Sequence, residues 1–173
     1  MTNANENTIV APEGARIVNL HCRVNHGRDW KEAISAGFLP HKRINGEVQK
    51  VGDLYLPTST EEIQGDYIIL NFLPGCGSWD RALVWAQSVG LKMTVPREVF
   101  AIGEQYPGLE RTLGQNPLYL VATTDCIFGG RRKACFVWWG RYRFFFWSIG
   151  RRVVGLRPTI DFDHNCAWFL FRK

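Results

Sequence analysis

A run of arginine and aromatic residues near the C terminus is the part of the chain best equipped for chemistry. Residues 141–147 read RYRFFFW. Guanidinium groups neutralise phosphates and aromatic rings stack on bases, so a nucleic acid single strand is one ligand that this pattern suits. Arginine and aromatic side chains are also favoured anchors at protein–protein interfaces. A third interpretation is an ordinary strand that turns its Phe side chains inward and leaves its Arg side chains in solvent.

The residue types around this run are restricted. Residues 126–173 contain ten Lys and Arg against two Asp, a net charge of +8, and thirteen of these 48 residues are Phe, Trp or Tyr. The whole chain carries +5, so residues 1–125 carry −3. No Glu, Gln or Met follows Gln115, although residues 1–115 hold fourteen Glu and Gln. Globular surfaces use Glu freely, and a strand-rich segment only partly lowers that expectation, so the gap indicates a filter on residue types.

Patterns typical of catalysis, phosphate binding or metal binding are weak. The Gly129–Arg132 segment could hold a phosphate but lacks P-loop spacing, so we expect a hairpin turn there. Residues 161–165 resemble the start of a calcium loop, without the Gly and Glu that such a loop requires further along. A Cys–His pair such as Cys166 with His164 lacks a third, orienting group. We therefore expect no catalytic site, no metal and no cofactor.

The bulk properties indicate one domain over residues 1–173, because 46% hydrophobic content is enough for a core. No apolar run is long enough for a membrane span. Residues 1–13 are polar and resemble a frayed start rather than a secretory signal, so we expect a cytoplasmic location by default, with export by another route left open. Five cysteines without C-x-x-C spacing indicate reduced thiols, with a Cys126–Cys135 or Cys135–Cys166 bridge as the alternative.

Capping residues and apolar spacing predict three helices. They cover residues 30–36 after Asp29, the segment from Ser78 to Gly90, and the segment from Thr94 to Pro107. Residues 39–56 are loop-like. Runs of β-branched and aromatic residues predict strands at 66–73, 118–123, 134–139, 143–148, 153–157 and 167–171. Gly129-Gly130, Gly140, Gly150 and Pro158 are expected to separate these strands, and the layout is typical of an α+β fold.

From Trp79 to Lys173 the order of these pieces resembles the C-type-lectin fold in its prokaryotic variants. The resemblance rests on the helix SWDRALVWAQSVG, the segment LKMTVPREVFAI, and the strand-like segments LYLVATTD, KACFVWW, VGLRP and AWFLFRK. It implies a C-type-lectin-like α+β fold with two helices packed on a small antiparallel sheet. The residues before Asp66 are not matched, and the sugar-binding calcium motifs of animal C-type lectins are missing.

Within that fold the chain resembles a variable protein of a diversity-generating retroelement, most of all the archaeal and candidate-phylum versions. In such systems the adenines of a template repeat are randomised, and an AAC or AAT codon cannot become Trp, Met, Gln, Glu or Lys. The resemblance implies a variable region at 126–166. It also implies that the forbidden types found there and nearby belong to a constant scaffold, namely Trp79, Lys133, Trp138, Trp139, Trp147, Trp168 and Lys173.

The function implied is non-enzymatic binding of another protein or a cell-surface molecule through a diversifiable surface. The residues expected at that surface are Ile127, Phe128, Arg131, Arg132, Arg141, Tyr142, Arg143, Phe144, Phe146, Arg151, Arg152, Asp163, His164 and Asn165. One alternative is a basic, aromatic nucleic-acid-binding module. Another is a divergent enzyme related to the formylglycine-generating enzymes, although their catalytic cysteine arrangement is not found in this sequence.

Overall fold

The computed structural model describes residues 9–37, 46–57, 59–144, 147–164 and 166–173, with the backbone alone at 141–144 and 147–151. The strands are β1 (Ala15–Asn25), β2 (Glu62–Phe72), β3 (Lys92–Met93), β4 (Leu118–Phe128), β5 (Arg131–Phe144), β6 (Trp147–Pro158) and β7 (Ala167–Arg172). The α-helices are α1 (Trp30–Ala36), α2 (Gly46–Gln49), α3 (Trp79–Ser88), α4 (Pro96–Gln105) and α5 (Leu109–Thr112). Two 3-10 turns lie at Gly52–Leu54 and Thr159–Phe162.

The strands form one seven-stranded sheet in the order β1–β2–β7–β4–β5–β6, with β3 paired to β7. Neighbouring strands run antiparallel except β4 and β7, which are parallel. The protein is therefore a mixed α/β structure with few helices. Its sheet is larger than the small antiparallel sheet that we expected, because β1, β3 and the parallel pair add to it.

Strand β1 is absent from the sequence prediction, although its second half carries a readable signal. Leu20, Cys22 and Val24 are buried and the intervening positions are exposed, which is the period of a strand with one face on a core. The polar residues between them complete the alternation in the sequence LHCRVN. The strand pairs along its whole length with β2, from Ala15 opposite Phe72 to Asn25 opposite Glu62.

Both faces of the sheet are covered. Adjacent residues of β2 belong to different hydrophobic clusters, Ile69 to the one under α1 and α4 and Ile68 to the one under α3. Because successive side chains of a strand point to opposite faces, the two clusters lie on opposite sides of the sheet. Burial on both faces explains why residues 67–72 of β2 and most of β7 are nearly continuous apolar runs rather than alternating ones.

The three predicted main helices are confirmed. Asp29 caps α1, because its Oδ2 accepts from the backbone N of Lys31 at 2.9 Å. Ser78 caps α3 by accepting from the backbone N of Arg81 at 3.1 Å. Helix α4 begins at Pro96, two residues after the predicted start at Thr94. The predicted loop over 39–56 is partly wrong, since α2 and a 3-10 turn lie within its described residues.

Two glycines that were predicted to end strands lie inside them. Gly140 belongs to β5 and Gly150 to β6, and the predicted strand at 143–148 instead spans the reversal between these strands, where Phe144 pairs with Trp147. Gly140 is needed in the strand because an added Cβ would overlap the ring of Trp138. Gly140 therefore marks a close approach between the backbone and the Trp138 side chain rather than a turn.

The chain is attached to α3 from Ile9 onward, so the expected frayed start applies at most to residues 1–8, which lie outside the description. Ile9 packs against the α3 cluster, and Trp85 Nε1 donates to the carbonyl oxygen of Val10 at 3.2 Å. All five cysteines are free thiols. Among the described residues, no helix has the length and apolar character needed to cross a membrane.

Candidate functional site

The β5–β6 pairing continues past the end of the neighbouring strand. Strand β4 begins at Leu118, opposite Trp139, whereas β5 and β6 remain paired from Gly140 opposite Arg151 to Phe144 opposite Trp147. At about 3.3 Å per residue, this extension is roughly 16 Å long. We call residues 140–144 and 147–151 the ribbon. Within the part of the chain that the structure describes, no third strand pairs along it.

The ribbon contains the backbone of five residues expected at the binding surface: Arg141, Tyr142, Arg143, Phe144 and Arg151. Their cross-strand partners put them within one two-stranded element. Phe146 lies outside the described residues, and so does Asn165. Trp147, expected in the scaffold, is the first residue of β6 and directly follows the chain reversal.

Arg152 was expected at the binding surface, and this expectation is wrong. Its side chain is buried, with 5% of its surface exposed, and it donates to the carbonyl oxygens of Gly103 and, at 3.4 Å, Ala36. These carbonyls lie in the last turns of α4 and α1, where the helix dipole favours a cation. Burial lowers the pKa of Arg152. The residue therefore anchors the base of the ribbon to two helix ends.

A second group of expected surface residues lies at the β4–β5 turn. Ile127, Arg131 and Arg132 are exposed there, and Arg132 pairs with Asp125 at 2.8 Å. Phe128 is only partly exposed, because it packs against the core cluster under α1 and α4. The turn is a two-residue hairpin with positive φ at both central glycines, as predicted.

These two groups do not form one surface. Arg131 and Arg141 lie ten positions apart in the same strand, so they are about 33 Å apart along β5. The candidate residues thus divide between the β4–β5 turn and the ribbon, at opposite ends of β5.

Asp163 and His164 are exposed, but each makes a contact within the protein. Asp163 Oδ1 accepts from the backbone N of Trp79 at 2.9 Å and so helps to begin α3. The His164 ring packs edge-on against Tyr119, with ring centres 5.3 Å apart. Burial, followed by the charge of Arg157, lowers the pKa of His164. Asp163 is therefore part of the framework, whereas His164 lies beside the ribbon base.

Tyr119 and Arg157 are the residues at this end that the sequence analysis did not single out. Tyr119 pairs with Trp138 across the strands, two residues before the ribbon begins, and its ring contacts those of Phe136, Trp138, Phe162 and His164. The guanidinium of Arg157 lies over Tyr119 at 5.2 Å from the ring centre. The alternation in LYL, where Leu118 and Leu120 are buried, is the signal that places Tyr119 on the other face.

The residues expected in the scaffold are mostly buried or paired. Trp79, Trp139 and Trp168 are buried, and Trp138 is partly buried beside Tyr119. Lys133 forms an ion pair with Glu47 at 2.8 Å, and its side chain is 12% exposed. Beyond Gln115, the described Trp side chains therefore contribute to packing rather than to the open surface.

The described side chains near the base of the ribbon, those of Tyr119, His164 and Arg157, offer aromatic and guanidinium groups. Across the residues that the structure describes, no group of three His, Cys, Asp or Glu side chains is arranged to hold a metal ion. Comparison with known proteins found no matching family model, no matching curated protein and no matching solved structure.

Proposed function

We propose that the protein is a non-enzymatic binding protein whose ribbon presents a diversifiable surface to another protein or a cell-surface molecule. The observation that carries the proposal is the extension of β5 and β6 beyond Trp139, with no further strand of the described chain paired to it. An isolated two-stranded ribbon gains little stability from its own residues. Substitutions along it are therefore tolerated by the fold, as a diversified surface requires.

The base of the ribbon explains how a changeable surface keeps its position. Trp139 is 2% exposed, and its cross-strand partner Arg152 is held by the ends of two helices. Variation beyond this pair leaves the core unaltered. A rigid sheet with a variable element at its end is the arrangement by which antibody domains combine stability with new specificities.

Residue types agree with the retroelement origin that we propose. Residues 140–144 and 147–151 contain Arg, Tyr, Phe, Ser, Ile and Gly with one Trp, and no Glu, Gln, Met or Lys. All of these types except Trp can arise from an adenine-randomised AAC or AAT codon. Lys133 and Trp139, which cannot, make contacts inside the protein.

We also infer that the scaffold is C-type-lectin-like. From β2 onward the order is a strand, the helices α3 and α4, the antiparallel strands β4 to β6, and the aromatic strand β7, which pairs with β2. This order supports the family layout of two helices followed by a sheet that ends in a short aromatic strand. Strand β1 and helices α1 and α2 are additions to that layout, and α3 and α4 lie on opposite faces of the sheet.

A display library tests the binding function. Positions 141–143 and 149–151 are randomised, the library is selected against several unrelated soluble proteins, and a matched library varies Ile127, Arg131 and Arg132 at the opposite end of β5. We expect specific binders from the ribbon library and few from the other. Failure of the ribbon library, or equal success of both, contradicts the proposal.

The DNA beside the gene tests the origin. We expect a near-copy of the segment that encodes 126–166, differing only at adenines, next to a reverse transcriptase gene. Absence of both leaves no support for diversification. Filter binding with single-stranded DNA at low and high salt tests the main alternative, because tight, steeply salt-dependent binding would assign the arginines to nucleic acid instead.

A further inference from the structure

A cavity of about 370 Å³ lies between α4 and the edge of the sheet formed by β1 and β2. Helix α4 contributes the face formed by Arg97, Phe100, Ala101, Glu104 and Gln105, spaced as one side of a helix. The loop before α1 contributes Arg28. The lining residues that the structure describes all lie outside 126–166, the segment in which we propose variation.

Arg97 is the unusual group in the cavity wall. The residue is 6% exposed, and two of its guanidinium nitrogens donate to backbone carbonyls, Nε to Arg28 at 3.2 Å and Nη1 to Tyr55. The guanidinium also lies over the ring of Trp30, 5.2 Å from its centre. These three contacts hold the planar group in one orientation, so a ligand meets a preorganised donor.

The positive charge of Arg97 has no ion-pair partner among the described residues. Asp29, the nearest acidic influence, uses its carboxylate to cap α1. The third nitrogen of Arg97, Nη2, makes no hydrogen bond to any described residue. A buried guanidinium without a counter-ion is costly, and burial lowers the pKa of Arg97 accordingly. Such a group is stabilised by any anion that reaches it.

The other arginines and glutamates in the described part of the wall are paired. Arg28 pairs with Glu104 at 2.8 Å, and Arg23 pairs with Glu62 at 3.4 Å. Among the described lining residues, three arginines and two glutamates therefore leave one positive charge over, at Arg97. One surplus charge matches a singly charged anion, whereas Glu62 and Glu104 repel a multiply charged phosphate. Phe100 and Ala101 supply an apolar wall for the rest of the ligand.

We propose that this cavity binds a small organic carboxylate, with the carboxylate accepting a charge-assisted hydrogen bond from Nη2 of Arg97. The volume is in the range of small-molecule sites, and planar guanidinium groups suit carboxylate geometry. The site is independent of the ribbon. The protein then has two binding regions, one diversified and one constant.

The test uses the full chain and four probes at millimolar concentration: acetate, benzoate, L-alanine and inorganic phosphate. Binding is followed by NMR through the indole N–H signal of Trp30, whose ring contacts Arg97, and by calorimetry. We expect saturable binding of at least one carboxylate, tighter than phosphate. No saturable binding of any carboxylate, or tighter binding of phosphate, would overturn the proposal.

Two variants locate the ligand. Arg97→Gln should weaken carboxylate binding by about tenfold or more, because a charge-assisted hydrogen bond is lost. Ala101→Leu should block the cavity while leaving the guanidinium in place, and it serves if the first variant fails to fold. Arg111→Gln, at an exposed arginine outside the cavity, is the matched control and should bind normally. Undiminished binding in the folded cavity variants contradicts the site.

Ribbon variants separate this proposal from the proposed function. Replacing Arg141 and Arg143 together should leave carboxylate binding unchanged, whatever its effect on the macromolecular ligand. A loss of carboxylate binding in that variant would place the ligand at the ribbon and overturn the assignment to Arg97.

Discussion

Glu98 of α4 and Arg172 of β7 form an ion pair with 3.3 Å between Oε1 and Nη1, and Glu98 is 1% exposed. Tyr67 of β2 donates to the same oxygen at 3.1 Å, and the backbone N of Val95 donates to the other at 2.7 Å. Burial raises the pKa of Glu98, while the hydrogen bond from Val95, the charge of Arg172 and the hydrogen bond from Tyr67 oppose that effect. One carboxylate thus ties the start of a helix to two strands.

Glu98→Ala should lower the free energy of unfolding by about 2–4 kcal/mol, because it leaves a buried hydroxyl and a guanidinium without their acceptor. Urea unfolding followed by tryptophan fluorescence measures the change. Glu104→Ala, on the same helix, removes the more exposed ion pair with Arg28 and should cost less than about 1 kcal/mol. Similar effects of the two substitutions would show that Glu98 is not a structural centre.

Arg152→Met should destabilise the protein by about 1–3 kcal/mol, since the carbonyl oxygens of Ala36 and Gly103 lose their donor at the helix ends. Arg131→Met, at the exposed β4–β5 turn, should change stability by no more than about 0.5 kcal/mol. Thermal unfolding of both variants checks the difference. Equal changes in stability for the two variants would contradict the assignment of Arg152 as a buried anchor.

Gly140→Ala should cost about 1–3 kcal/mol, because the new methyl group overlaps the Trp138 ring. Adding Trp138→Leu should recover part of that loss, since the two residues are in contact and their effects are coupled. Gly46→Ala is the matched control, as a Cβ there meets nothing within 4 Å. Chemical unfolding of the single and double variants measures the coupling; additive costs would rule out the contact.

Stability should fall as the pH drops below about 6.5, because His26 is buried and its pKa is lowered, first by burial and then by the charges of Arg172 and Arg97. Below that pH His26 is protonated in the unfolded chain but not in the folded chain. The loss of stability therefore begins near the ordinary histidine pKa and continues down to the folded-state pKa of His26. Unfolding free energies of the protein and of His26→Gln, measured from about pH 7.5 to about pH 5.5, check this. Parallel pH profiles for the two proteins would contradict the assignment.

The helices were predictable because their signals are local. Asp29 and Ser78 cap α1 and α3 through neighbouring backbone groups, and the spacing of apolar residues indicates the helical segments that follow. Strand β1 was missed although Leu20, Cys22 and Val24 alternate with polar residues. This alternation is typical of a strand, but it is short, and the pairing with β2 is what establishes the strand.

The candidate sites depend on contacts that a sequence does not carry. Arg151 and Arg152 are neighbours in the chain, and the strand alternation alone leaves open which of them turns to the helices. The guanidinium of Arg97 is held in place by hydrogen bonds to the carbonyl oxygens of Arg28 and Tyr55. Both residues are far along the chain from α4, so the sequence does not reveal these contacts. The composition of 126–173 indicated a surface for recognition, whereas its division between two ends of β5 follows from register.

Strand β7 lies between β2 and β4, and it joins the antiparallel pair β1–β2 to the β4–β5–β6 meander. Its pairing of Arg172 with Tyr67 closes a very long stretch of chain, and such contacts slow folding because the entropy of loop closure is lost before they form. We therefore expect substitutions in β7 to slow refolding, whereas those in the ribbon mainly alter unfolding rates. If the ribbon is diversified as we propose, the rate-determining step of folding is unchanged, and variants that differ only in the ribbon reach the folded state at nearly the same speed.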